Sequence, residues 1–189
     1  MAVKTFWGHL GRFATNWFMK RLDDNFAELE ARLNQLLHGG VYQLASDTTT
    51  TVSVTSTWYA ATGTLAAVGN AYGYTPDGTD VKLTHAHPEP TGTTHYYDID
   101  IRGHLSTPAA ATISGRLQWY DSSEASTTTI WQGSAELLKG QGSTHFIWFN
   151  IRSRAAIADS DTLTLELRND TGTEDITIYA GAAFAIRGT

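Results

Sequence analysis

The chain has 189 residues, a formal net charge of −6 and no cysteine. The acidic balance argues against nucleic-acid recognition, which wants a basic stripe, and the lack of thiols removes disulfides, thiolate zinc sites and cysteine catalysis together. No apolar run approaches the ~18 residues of a membrane span, and the N-terminal stretch, broken by Lys4, Gly8, His9, Gly11 and Arg12, lacks the pattern of a secretory signal.

The first forty residues carry apolar side chains at helical spacing. Phe6, Leu10, Phe13 and Trp17 form one stripe. Met19, Leu22, Phe26, Leu29, Leu33 and Leu36 form a second, rotated one, with the alternating three- and four-residue steps of a coiled-coil seam. Residues 3–38 therefore read as helix, in one piece or in two that re-register at Asp23-Asp24-Asn25, where Asn25 and Glu28 resemble an N-cap pair. Phe6, Trp7, Phe13, Trp17 and Phe18 are too many rings for a solvated helix, so this segment either folds back on its own domain or docks on another protein. Gly39-Gly40 is read as the helix stop. Residues 1–40 are thus expected to be an anchoring and oligomerisation segment, and 41–189 a separate β-domain.

From Val41 the apolar period falls from 3.6 to two, and turn residues recur at regular intervals. Strands are expected near 41–45, 51–58, 64–68, 80–86, 95–105, 111–120, 128–137, 144–152, 162–168 and 175–187. In 95–105, Tyr97, Ile99 and Ile101 face one way and Asp98, Asp100 and Arg102 the other. In 113–120, Ile113, Leu117 and Trp119 point inward, with Arg116, Gln118 and Tyr120 outward. The run His145-Phe146-Ile147-Trp148-Phe149-Asn150-Ile151 is apolar on both faces. Either a loop or the helix covers its outer side, or that side lies at a subunit interface. The second reading is favoured, which marks Ile147 and Phe149 as interface candidates. Asn169-Asp170-Thr171-Gly172 reads as a hairpin turn. The expected fold is mainly β: an antiparallel jelly-roll sandwich preceded by an N-terminal α-helical segment.

The stretch Ala158-Asp159-Ser160-Asp161-Thr162-Leu163-Thr164-Leu165-Glu166-Leu167, followed by Thr171-Gly172, Ile176-Thr177-Ile178-Tyr179 and Ala183-Phe184-Ala185-Ile186, resembles the end of C1q/TNF-like jelly rolls. There an "aGD-x-l-x-l" strand precedes a small-residue turn and a final strand. The glycine of that pattern is replaced here by Asp159-Ser160, and the likeness covers about thirty residues. Members of that group are typically trimers, and small ones with an N-terminal helix resemble tailed-phage virion proteins. The resemblance therefore implies a homotrimer and a place in a virion.

Candidate chemistry is sparse. His85 and His87 share a strand face at i,i+2, near His95 and Asp98, and form a weak metal-ligand pair; solvation in a polar loop is the preferred reading. Asp98 with Asp100, and Asp159 with Asp161, are carboxylate pairs of the sort used in glycoside hydrolysis or calcium binding, although neither lies among further acidic or aromatic groups. No Gly-x-Ser-x-Gly elbow, phosphate loop or His-Glu-x-x-His is present. Tyr72, Tyr74, Tyr96, Tyr120, Trp119 and Trp131 are candidates for sugar stacking, with Tyr72 and Tyr74 in loop 69–80 the best placed.

The expectation is a non-enzymatic structural virion protein that decorates or cements a phage capsid and needs no cofactor. Its partners would be its own copies and a major capsid or other virion protein reached through the helix. It would be made in the host cytoplasm. The alternative is a fibre or tail-tip module that attaches to a host glycan.

Overall fold

The computed structural model describes residues 19–26, 29, 39–86, 95–136, 138–139 and 145–189. The chain divides into two units, residues 1–37 and 38–189. In the first, residues 19–26 and 29 are helical. The seam residues Met19, Phe26 and Leu29 are 49%, 61% and 62% exposed. Asp23, Asp24 and Asn25 lie inside this helical run, so the chain does not re-register there and Asn25 is no cap. Phe6, Phe13, Trp17, Leu33 and Leu36 lie outside the described residues.

The second unit is built of antiparallel strands, numbered in chain order. One sheet runs β10 (Leu138–Lys139), β11 (His145–Ile157), β7 (His95–Thr107), β14 (Ala183–Gly188), β1 (Gly39–Leu44), β4 (Leu65–Tyr72). In the same sheet, β13 (Ile176–Ile178) pairs with β2 (Thr48–Thr50) and with β7. The other runs β5 (Tyr74–Pro76), β6 (Lys82–His85), β12 (Thr162–Asn169), β8 (Thr112–Asp121), β9 (Ser126–Glu136), with β3 (Tyr59–Ala60) beside β12. Their apolar faces meet in one core that includes Tyr42, Tyr97, Phe184, Leu83, Leu117 and Ile151.

Alternation builds these strands. Leu163, Leu165 and Leu167 are buried while Thr162, Thr164 and Glu166 between them are not. Each such leucine contributes roughly 1.5–3 kcal/mol of transfer free energy. Tyr97, Ile99 and Ile101 are likewise inside, with Asp98 and Arg102 outside. Gln118 departs from its expected exposure. It is 8% exposed because the Thr129 hydroxyl donates to its Oε1 at 3.0 Å and its amide lies against Glu166.

Three local readings change. Residues 51–58 form no strand: Ser56 is left-handed at φ 58°, and backbone N–H groups bond elsewhere. Val52 donates to Asp175 Oδ1 and Val54 to Tyr59 Oη, each at 2.9 Å. The Asn169–Gly172 turn is not a hairpin, because β12 and β13 belong to different sheets. Buried Asn169 makes this crossover: its Oδ1 accepts from the N–H groups of Thr171 and Gly172, and its Nδ2 donates to the Glu174 carbonyl. Gly39 and Gly40 open strand β1, two residues earlier than expected, while residues 30–38, read as the helix they stop, lie outside the described residues. The two glycines sit at φ 127° and 132°, where a Cβ would fall 2.3 Å from the Ile186 carbonyl oxygen and 2.5 Å from the Ala71 Cα.

The turn before β12 is held by one carboxylate. Asp161 is 1% exposed, and its oxygens accept hydrogen bonds from Trp119 Nε1, Ser122 N and Ala158 N, each at 2.9 Å, and from the Ser122 hydroxyl at 3.1 Å. Ser160 precedes it at φ 67°, a conformation that glycine would adopt more freely. Replacing Asp161 strands several buried donors at once. Asp161→Ala is expected to lower unfolding free energy by about 3 kcal/mol, and urea denaturation monitored by circular dichroism measures it.

Candidate functional site

The expected ligand residue His85 and the expected glycan residue Tyr74 come together, but inside the core rather than at a surface. His85 is buried at 1% exposure, not solvated in a loop. Its Nδ1 donates to the Ala158 carbonyl at 3.0 Å, Tyr97 Oη lies 3.5 Å from its Nε2, and the Tyr74 ring packs 4.9 Å away, centroid to centroid. Its ring serves the core, in register with Val81 and Leu83, rather than presenting a nitrogen to an ion at the surface. His87 lies outside the described residues. Among the described residues, no three His, Asp or Glu side chains converge as a metal site. Tyr74, proposed for glycan stacking, is 7% exposed and stands edge-on to Tyr42 and Tyr97, so neither ring face is offered to a sugar. Tyr72 is 53% exposed. The Asp159–Asp161 pair separates, with Asp161 turned inward and Asp159 exposed.

Ile147 and Phe149, marked for an interface, pack against the core of their own domain. The outward member of that strand is Trp148, which is 71% exposed. Strand parity explains this: 147, 149 and 151 share the inward side with buried Ala155 and Ile157.

The outer face of the first sheet is the best-defined candidate surface. The β7–β11 register sets Trp148 beside His104, Asn150 beside Arg102, Arg152 beside Asp100 and Arg154 beside Asp98. On the other side of β7, Asp98 pairs with Arg187 and Asp100 with Ala185 in β14. At one end the His104 ring is sandwiched by aromatics. It stacks on Tyr179 (4.3 Å between centroids, 12° between planes) and meets Trp148 at 4.5 Å and 45°. The Tyr179 hydroxyl is fixed by Ser106 Oγ at 3.0 Å. At the other end the Arg154 guanidinium lies 5.3 Å from the centre of the Tyr96 ring, which is 49% exposed.

Between these aromatic ends runs a ladder of charge. Arg102 Nε donates to both Asp100 oxygens at 3.1 Å, Arg152 Nε stands 4.0 Å from Asp100, and Arg154 Nε 3.8 Å from Asp98. The Arg102 hydrogen bond, aided by the charges of Arg102, Arg152 and Arg187, holds the Asp100 carboxyl below its ordinary value. Beyond the ladder come small and apolar residues, with Ala185, Val41 and Val68 across from one another in successive strands. The outer face of the second sheet differs. Arg116 and Arg168 lie over the Trp58 ring at 4.4 and 4.5 Å, so its large aromatic is covered by cations of the same chain.

No model of a known protein family matches the chain, and no curated protein sequence matches it. The chemistry of the site therefore rests on its own geometry. An exposed indole, fixed guanidinium–carboxylate pairs and small side chains make a face suited to binding a second surface, protein or sugar. No helix among the described residues is long and apolar enough to cross a membrane.

Sequence reading missed the grouping of Trp148, His104, Tyr179 and the arginines. The signal was present in β11, where every second residue from Trp148 gives Trp, Asn, Arg, Arg.

Among the described residues, three carboxyls are clearly lowered by their surroundings. Asp77 is held far below its usual range, first by the N–H groups of Thr79 and Asp80, then by the Thr79 hydroxyl and Lys82. Asp121 is lowered mainly by the Ser123 hydroxyl and the Glu124 N–H. Asp100 is lowered as described. Lowered folded-state values stabilise the fold above the unfolded value near ~4, and that stabilisation is lost as pH falls through the folded values. The thermal midpoint is expected to be insensitive to these groups from about pH 7 to 5 and to fall below about pH 4. Asp77→Asn should flatten that acid limb in a pH series of melting curves.

Proposed function

We propose that the chain is a structural protein of a tailed-phage virion, a homotrimer on a jelly-roll scaffold that decorates and stabilises the capsid. Strand pairing supports the jelly roll: β1 with β14, β6 with β12, β7 with β11 and β8 with β9 nest from the outside of the sequence inward, as two Greek keys rolled together would. The turn that resembles C1q/TNF-like proteins supports it too. Left-handed Ser160 stands where that pattern has glycine, and Asp161 keeps the aspartate and buries it.

One observation carries the assembly reading: Trp148, 71% exposed, lies on a face that also bears arginines, aspartates and small residues. A face with both charge signs suits association of like with like, because each copy supplies what its neighbour needs. A partly exposed tryptophan is the side chain most often found at the centre of such interfaces. The exposed stripe of Met19, Phe26 and Leu29 supports a second contact, either among the copies or with a major capsid or other virion protein. No catalytic step belongs to this reading. Synthesis in the host cytoplasm precedes incorporation into the virion.

A second reading is favoured by the same residue. Trp148 beside His104 and Asn150 joins a ring face to polar groups, the arrangement by which a fibre or tail-tip module would stack on a host glycan. It moves the sugar site from Tyr72 and Tyr74 to Trp148.

Light scattering on the full chain tests the assembly. A trimeric mass is expected, and Trp148→Asp is expected to shift it to monomer while leaving the far-ultraviolet circular dichroism unchanged. Leu29→Asp should weaken self-association or particle binding without unfolding the β-domain. A full-length chain that is monomeric at micromolar concentration and fails to bind capsids lacking it would overturn the proposal. Binding of the monomeric wild type to a glycan array, abolished by Trp148→Ala, would install the second reading instead.

A further inference from the structure

Between the sheets, where β9 and β11 flank the open side of the core, lies a cavity of about 230 Å³. Its walls are apolar: Ile147 and Phe149 from the first sheet, Leu165, Leu167 and Trp131 from the second. Ser134 and Asn150 lie at its rim, but their side chains alternate to the outer faces of β9 and β11.

The floor is kept bare by a pair of glycines that sit directly opposite each other, Gly115 in β8 and Gly133 in β9. Gly133 has a packing reason, because a Cβ there would fall 2.8 Å from the Trp131 ring. Gly115 has none. Its backbone is not left-handed, and a Cβ would make ordinary contacts, 3.6 Å from Trp131 Cζ3 and 3.8 Å from Leu167 Cδ2. Glycine inside a strand weakens it, and where neither the backbone nor a neighbour demands glycine, the space above it is the remaining use. Any larger residue at 115 would grow into the cavity.

We infer that this cavity is a binding site for a small, flat, largely apolar ring compound. An apolar cavity of ~150 Å³ takes up benzene in a protein core, so about 230 Å³ admits a two-ring system. The Trp131 and Phe149 rings offer faces and edges to such a molecule. This assignment is independent of the proposed virion role, since it uses the interior of one chain.

Titration of 5-fluoroindole into the full-length protein, followed by fluorine NMR and by the thermal midpoint, tests it. Saturable binding of one equivalent per chain is expected, with a rise in the midpoint as ligand is added. Gly115→Val fills the floor from β8 and should weaken binding by ~tenfold or more while the unliganded protein melts no lower. Ala135→Leu fills it from β9 and decides the matter if Gly115→Val does not fold. Absence of saturable binding to the wild type overturns the inference, as does unchanged affinity in a folded filling variant.

Discussion

Thirteen residues of β7 pair with thirteen of β11 without a shift in register, and the rest of the surface is arranged by that pairing. A slip of one residue between them would turn either Tyr97, Ile99 and Ile101 or Ile147, Phe149 and Ile151 out of the core. The register is therefore fixed by the cost of exposing one set or the other. Once it is fixed, so are the outward rows: an indole beside an imidazole, two arginines beside two aspartates. Charge pairing on that face follows from burial on the other, since exposed ion pairs of this kind are worth too little to set a register themselves.

The two sheets are tied by polar devices at their ends as well as by apolar packing between them. Asp161 joins the β11–β12 turn to Trp119 and Ser122, and Asn169 directs the chain from the second sheet into the first. His85 lies near the first of these, bonded to the Ala158 carbonyl. Buried polar groups that are fully engaged in this way make alternative turns costly, because each would leave a carboxylate or amide unsatisfied. They define which side of each strand faces in and thus keep the outer row of the first sheet and the cavity at β9 and β11 in place.

The inward face of the β-domain was legible where alternation is strict, as in β7 and β12, and those strands stand where the period of two puts them. Turn signals were less informative. Asn-Asp-Thr-Gly has the same local chemistry whether the chain doubles back or crosses to the other sheet, and only the partners of β13 distinguish the two. Gly39-Gly40 likewise marks a boundary in either reading, but its close approach to Ile186 and Ala71 depends on strands far along the chain. His85 could have been placed by parity with Val81 and Leu83; its polarity argued for the surface and three neighbouring rings or carbonyls overruled it. Ile147 and Phe149 were separated from Trp148 only by counting back from Ala155 and Ile157. The charged ladder was legible only as separate rows, Asp98, Asp100 and Arg102 on β7 and Arg152 and Arg154 on β11; that these rows meet each other and Arg187 of β14 follows from pairings that no local pattern shows.

The position of β14 carries a consequence for how the molecule is made. This strand, the last of the domain, lies between β1 and β7 in the middle of the first sheet and bonds to both. A ribosome that has delivered everything up to β13 has delivered a sheet split in two, with the edges of β1 and β7 unpaired. The domain therefore completes itself only after its final strand has emerged, in a late step that joins residues some 145 positions apart in the chain. Nascent and prematurely released chains lack the continuous outer face that spans β11, β7, β14 and β1.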